Sequence, residues 1–101
     1  MLAEKNMYGF YSGGFLFDRA DRIGHYFACK EIKKPFVFTK TGYIRYYKQA
    51  CKEPNRHQVE VKKHWWKRKS IDVKVKLWDG DTLLCDVSLE FVGKNKNYCK
   101  K

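Results

Sequence analysis

The segment Lys62–Lys69 carries the residue types best suited to chemistry, since five cations there surround two adjacent tryptophans, Trp65 and Trp66. Clustered cations neutralise backbone phosphates and release condensed counterions. An exposed ring beside them can stack on a base, which is worth roughly 1–3 kcal/mol per base. Neighbouring side chains of an extended segment point to opposite faces, so we expect one tryptophan in the core and one at the surface. The segment predicts contact with a polyanion. The alternative is a basic sheet edge that resists self-association.

The net charge of +11 belongs to the middle of the chain. Residues 30–76 hold fifteen of the 22 Lys and Arg residues and four of the 11 Asp and Glu residues, and the rest of the chain is balanced. A field of one sign attracts polyanions before any contact forms. We therefore expect these cations to share one side of the molecule.

The candidate binding set extends beyond that segment, because other cations and rings lie on alternating segments typical of strands. Two tyrosines flank an arginine at alternate positions, which would form a stacking platform or a solvated sheet face with amphipathic rings. The full candidate set is Lys62, Lys63, Trp65, Trp66, Lys67, Arg68, Lys69, Lys74, Lys76, Arg45, Tyr43 and Tyr47.

Three histidines suggest metal binding or acid–base chemistry. Zinc ligands usually come in close pairs, and the nearest pairing here is His25 with Cys29, so we predict no metal site. A metal-independent ribonuclease needs a general base, a general acid and a cation. His57 and His64 offer the first two groups, but no motif orders them. We predict no catalytic residues and no cofactor.

Length and composition indicate one domain, residues 1–101, with enough apolar surface to fold. No apolar run reaches the roughly 20 residues of a membrane span, and the N-terminus lacks a secretory signal. The four cysteines are too widely spaced for a compact disulfide framework, which favours reduced thiols. We expect an intracellular, cytoplasmic protein with no membrane partner.

Alternating hydrophobicity predicts antiparallel hairpins. The clearest joins 71–78 to 83–91, and parity favours the three-residue loop Trp78-Asp79-Gly80, with Val75 opposite Leu83. A second hairpin is predicted over 36–47, turning at residues 40–42.

The N-terminal third is less regular. The pattern predicts a hairpin over 8–17 that turns at Gly13-Gly14, followed by a helix or a strand. Residues from Gly93 onward are expected to form a basic tail. The fold class is therefore mostly β, with antiparallel hairpins in a small barrel or half-open sheet, or α+β with one helix near residues 18–30.

Together these features predict a non-catalytic nucleic-acid-binding protein that uses backbone and stacking contacts, with RNA or single-stranded DNA favoured because no recognition helix is found. The alternative is a small interaction or inhibitor protein, of the viral or phage accessory type, that docks its basic face on an acidic protein. A small metal-independent ribonuclease is the second alternative.

Overall fold

A long helix, α1 (Gly13–Glu31), precedes four antiparallel strands in a computed structural model that describes residues 9–32, 36–63 and 70–94. The strands are β1 (Phe36–Tyr46), β2 (Arg56–Lys63), β3 (Ser70–Asp79) and β4 (Thr82–Lys94). They form one open sheet in the order β1-β4-β3-β2. The α+β prediction with one helix is confirmed, and the sheet is open rather than closed into a barrel.

Helix α1 begins at a side-chain cap and buries one narrow stripe. Ser12 has extended backbone, and its hydroxyl accepts the N–H of Phe15 at 3.1 Å, which satisfies one of the donors that a helix start leaves open. Every fourth residue of the helix is buried, and three of these four residues are small, which brings the helix close to the sheet. The buried residues are Leu16, Ala20, Gly24 and Ala28.

The sheet has one apolar face, which packs against α1. On β3 and β4 the alternate residues are buried and face each other across the ladder, so the two central strands supply most of the core. The buried pairs are Ile71–Phe91, Val73–Leu89, Val75–Val87 and Leu77–Cys85.

Helix α1 runs alongside β1 in the opposite direction. Its first residue lies against Tyr46 at the end of β1, and further along the helix Asp21 accepts a hydrogen bond from Thr39 at 2.6 Å. His25 contacts the backbone carbonyl of Val37 near the start of β1. The order of these contacts places the start of the helix beside the end of β1.

The hairpin of β3 and β4 is confirmed, but its predicted register is wrong. The loop contains two residues, Gly80 and Asp81, and Val75 lies opposite Val87 instead of Leu83. A register shift between Leu77 and Trp78 keeps the buried residues of β3 opposite those of β4 although the loop has only two residues. Gly80 has φ +59°, which suits the first central position of a two-residue hairpin loop.

The two other predicted hairpins are wrong. Residues 36–46 form a single strand with a bulge at Lys40, and Gly42 lies inside that strand. A Cβ at Gly42 would lie 2.7 Å from Cζ of Phe17, so this glycine permits close packing instead of a turn. Gly13 and Gly14 begin the helix. Gly93, the predicted start of a tail, belongs to β4, whereas residues 95–101 lie outside the described part.

Candidate functional site

Part of the predicted polyanion-binding set lies outside the described residues, and on the described strands carboxylates lie across from several of its cations. Trp65, Trp66, Lys67, Arg68 and Lys69 lie outside the described residues, as does His64. Those that are described are distributed over three strands and the segment after β1. They are Lys62, Lys63, Lys74, Lys76, Arg45, Tyr43 and Tyr47.

Carboxylates lie among the cations on the solvent face of the sheet. The ladders set oppositely charged residues directly across from each other, an arrangement that favours their attraction and weakens the field of the cations. At the end of β2, Lys63 instead reaches Glu31 of the helix at 2.6 Å. The facing pairs on the sheet are Lys62–Asp72, Glu60–Lys74, Lys76–Asp86 and Arg45–Asp86.

The predicted ring pair does flank its arginine at the surface. Tyr43 and Tyr47 are 63% and 46% exposed. Tyr43 and Tyr47 raise the pKa of Arg45 above its ordinary value, through hydrogen bonding first and charge second.

A larger cavity, of about 490 Å³, lies on this solvent face. Its charged lining residues belong largely to the facing pairs described above, so cations and carboxylates compensate each other there. These charged residues are Glu60, Lys62, Asp72, Lys74 and Glu90.

A groove of about 420 Å³ lies where the helix begins. Three segments enclose it: the residues before α1, the first turn of α1, and the chain that follows β1. The backbone N–H of Tyr11 donates to the carbonyl of Ala50 at 2.7 Å and joins the first segment to the last. The lining residues are Phe10, Tyr11, Ser12, Gly13, Leu16, Tyr46, Tyr47, Lys48, Gln49 and Ala50.

Two backbone donors beside this groove have no acceptor among the described residues. Ser12 accepts the N–H of Phe15 through its hydroxyl and that of Leu16 through its carbonyl. Within the described residues, no acceptor takes the N–H of Gly13 or Gly14. The N–H groups of a first helical turn point out of the helix start, where the aligned peptide dipoles place partial positive charge. The groove therefore offers two aligned donors to an oxygen that carries negative charge.

Tyr46 fixes the position of this first turn. Its hydroxyl donates to the carbonyl of Gly13 at 2.9 Å, and its burial, followed by the influence of Cys85, raises its pKa above the ordinary value. A Cβ at Gly13 would lie 2.7 Å from Oη of Tyr46. A Cβ at Gly14 would meet only the Ser12 hydroxyl, at 4.0 Å. Gly13 therefore packs on Tyr46, and Gly14 faces open space.

Sequence reasoning missed this groove because Gly13 and Gly14 were interpreted as a turn. The signal was present: Ser12 precedes residues 16, 20, 24 and 28, all small or apolar at the spacing of a helix stripe. The groove's described lining contains neither a carboxylate nor an imidazole. Across residues 9–32, 36–63 and 70–94, no three His, Cys, Asp or Glu side chains cluster as metal ligands.

Comparison with known structures identifies the fold. The chain is similar to the hexameric thioesterase y2039 from Yersinia pestis, with TM-score 0.80 and 17% identity over 95% of this chain and 83% of that one. It is also similar to HI0827, a hexameric broad specificity acyl-coenzyme A thioesterase solved as a point mutant, with TM-score 0.78 and 19% identity over 96% and 76%. Conserved protein PA5202 from Pseudomonas aeruginosa gives TM-score 0.75 and 22% identity over 91% and 74%. This is the hotdog fold, a long helix wrapped by an antiparallel sheet.

Searches by sequence add no relative: no protein-family model and no curated protein matches the chain. In the part of the chain that the structure describes, no helix is long and apolar enough to cross a membrane.

The prediction of a non-catalytic nucleic-acid-binding protein is wrong, and so are the nucleic-acid and acidic-protein partners inferred with it. The fold is instead shared with a hexameric thioesterase and with a hexameric acyl-coenzyme A thioesterase. The accessory-protein and ribonuclease alternatives fail on the same comparison. The physical reason for the error is that the sheet register sets carboxylates opposite the cations on which the prediction depended.

Proposed function

We propose that this protein hydrolyses acyl thioesters of coenzyme A in the groove at the start of α1. The observation that carries the proposal is the fold, shared over 95% and 96% of this chain with two thioesterases. The groove is the part of the fold where the reaction would take place, because it combines open backbone donors with an apolar lining.

The open amides of Gly13 and Gly14 would bind the thioester carbonyl oxygen. That oxygen gains negative charge when water adds to the carbonyl carbon. Donors already held in place stabilise this charge without any rearrangement of the protein. Tyr46 holds the donors by its bond to the Gly13 carbonyl. The apolar side chains of Phe10 and Leu16 would contact the acyl chain.

Activation of the water requires a base from outside the described lining, which has no carboxylate or imidazole. The two thioesterases with this fold are hexameric. We accordingly include self-association of this chain in the proposal. We also retain the intracellular location predicted from the sequence, because exposed thiols such as Cys29 and Cys51 persist in reducing compartments.

The test compares two substitutions at Gly14. Gly14→Pro removes an amide N–H of the first turn, which has no partner within the helix, whereas Gly14→Ala keeps the N–H and adds only a methyl group in open space. Loss of one donor to such an oxygen costs about 10²–10³ in kcat. We expect the Pro variant to lose that factor relative to the Ala variant, measured as thiol release from a panel of acyl-coenzyme A substrates.

Two outcomes would contradict the proposal. Similar kcat values for the two folded variants would exclude the Gly14 amide from the reaction. No turnover of any acyl-coenzyme A by the native chain, measured on its assembled form, would refute the proposed activity. Thermal unfolding of both variants verifies that helix α1 still forms.

A further inference from the structure

Strand β2 is an edge of the sheet, since the strand order is β1-β4-β3-β2. All 8 of its residues pair with β3 in one unbroken register, which satisfies one side of its backbone. In the part of the chain that the structure describes, no strand pairs with its other side. The opposite edge, β1, is interrupted by the bulge at Lys40. A straight, unpaired edge such as β2 is a template on which another strand can add.

The apolar face of the sheet continues onto β2 beyond the helix. Val59 and Val61 lie opposite Val75 and Val73, which are buried. The two valines of β2 are only half-buried, because helix α1 packs mainly on the other three strands. A strand added beside β2 would place further side chains next to these two valines.

The charges on the other face of β2 complement each other when the strand meets a second copy of itself. Glu60 and Lys62 are exposed and occupy alternate positions. Within one copy, Glu60 lies opposite Lys74 and Lys62 lies opposite Asp72. Antiparallel pairing about a twofold axis at Val61 would set Glu60 opposite Lys62 of the partner subunit. The same contact would form twice, since a twofold axis gives both copies the same interactions.

We propose that two copies of this chain join along β2, antiparallel, with the twofold axis at Val61. The two sheets would then form one continuous sheet, with both helices on the same side. Val61 would face the partner subunit's Val61, so the apolar row would continue across the axis. The proposal rests on the self-association included in the proposed function and gives it a strand and a register.

Neighbouring registers are less favourable. An axis between two residues would set side chains of the apolar face against those of the solvent face. An axis at Glu60 would set the two Glu60 side chains against each other, and an axis at Lys62 would do the same for the lysines. With the axis at Val59, Arg56 would face Lys62. Like charges directly opposite each other are destabilising, so the axis at Val61 is favoured.

The lysines of β2 do not oppose this pairing. Lysine on an edge strand prevents association when no anion faces it. Nζ of Lys63 lies 2.6 Å from Oε1 of Glu31 on the helix, so this cation is already paired within its own copy. Lys62 would lie between Asp72 of its own chain and Glu60 of the partner subunit. Each of the two lysines therefore has a carboxylate to face.

The experiment places one new cysteine on β2 and follows disulfide formation between copies under mild oxidation. Val61→Cys sets two thiols opposite each other, where Cβ atoms lie about 4.5–5.5 Å apart. Val59→Cys is the matched control, since its two thiols would be four positions apart along the strands, roughly 13 Å. We expect most of Val61→Cys to become a disulfide-linked dimer and Val59→Cys to remain unlinked. In the background protein three cysteines are replaced by serine: Cys29, Cys51 and Cys99.

A second measurement tests the charge register by mixing two variants. Glu60→Lys alone sets two lysines against each other at both contacts, and Lys62→Glu alone sets two glutamates against each other. In a heterodimer of the two variants, every such contact again joins opposite charges. By sedimentation velocity, we expect Kd of each variant alone to rise about 10- to 100-fold and the mixture to recover. Lys40→Glu makes the same charge change on β1 and should leave Kd unchanged. Thermal unfolding verifies the fold of each variant.

A native chain that sediments as a monomer would overturn the proposal. So would equal crosslinking of Val61→Cys and Val59→Cys, or a mixture of the charge variants that associates no more tightly than either alone. Thiol release from acyl-coenzyme A is measured separately on the native chain. Activity without the Val61→Cys crosslink would refute only the β2 interface, and the crosslink without activity would refute only the proposed reaction.

Discussion

Replacement of Gly24 by alanine tests how closely helix α1 is seated on the sheet. An added Cβ would lie 2.9 Å from Cδ1 of Leu89, and 3.1 and 3.2 Å from two ring carbons of Phe91. Optimal contact between carbon atoms is at about 3.5–4.0 Å. Leu89 and Phe91 are 2% and 0% exposed, so neither side chain can move into solvent. The methyl group would therefore push the helix away from β4.

The size of the effect follows from two opposing terms. Overpacking a core costs about 1–3 kcal/mol, and exchanging glycine for alanine inside a helix returns about 0.8–1 kcal/mol. The Gly24→Ala variant should thus be less stable than the native chain by about 0–2 kcal/mol. Gly14→Ala makes the same exchange in the same helix without a close contact. The difference between the variants isolates the steric cost, about 1–3 kcal/mol.

The assay is unfolding of both variants by heat and by denaturant, followed by far-ultraviolet circular dichroism. For a chain of this size each kcal/mol shifts Tm by about 4–8 °C, so Gly24→Ala should melt below Gly14→Ala by at least the smaller shift. Equal m-values would show that the two variants expose the same surface on unfolding. A Gly24→Ala variant that matches or exceeds Gly14→Ala in Tm would refute the close seating of α1 on Leu89 and Phe91.

Two further predictions concern Tyr46 and Cys85. Tyr46→Phe removes the hydrogen bond to the Gly13 carbonyl and should lower the free energy of unfolding by about 0.5–1 kcal/mol. It should also lower kcat for acyl-coenzyme A with little change in KM. An unchanged kcat would show that Tyr46 has no part in the groove chemistry. Burial, with a smaller influence of Asp86, raises the pKa of the Cys85 thiol from 9.0 to about 11. The pKa of this thiol is therefore higher in the folded state than in the unfolded state. Its contribution to the free energy of unfolding is complete below pH 9 and is lost as pH rises towards 11, by about 2–3 kcal/mol in total. Denaturant unfolding between pH 9 and 11 should show this decrease in the free energy of unfolding. The Cys85→Ala variant should be less stable at neutral pH but should lack the part of the decrease that comes from the thiol.

Local alternation was sufficient to predict the central hairpin, because β3 and β4 bury one face and expose the other. It could not determine the register. The shift between Leu77 and Trp78 changes which residues face each other, and nothing in a single strand encodes that shift. Gly80 was correctly assigned a positive φ. It is the first residue of a two-residue loop instead of the third residue of a three-residue loop, because of the register shift. That residues 1–101 form one domain stays a prediction.

The glycines show a second limit of sequence reasoning. Gly42 lies between two segments of alternating hydrophobicity, and a turn is the ordinary interpretation of such a glycine. Its role instead depends on Phe17, which lies on another element and fills the space where a Cβ would be. Glycine is unfavourable inside a helix, yet Gly24 allows α1 to approach Leu89. The residue that packs against such a glycine is distant along the chain. In the sequence alone, a glycine of this kind therefore looks the same as a glycine of a turn.

The failure of the charge argument has a related cause. Clustering along the chain does not determine clustering in space, because each ladder places a residue opposite one that is distant in sequence. Asp86, from the neutral part of the chain, lies opposite both Lys76 and Arg45. The electrostatic field at the surface depends on the charges that remain after cations and carboxylates have been placed next to each other. A net charge of +11 therefore describes the whole molecule's attraction for anions such as coenzyme A phosphates, whereas a binding face requires cations that the fold leaves without a facing carboxylate.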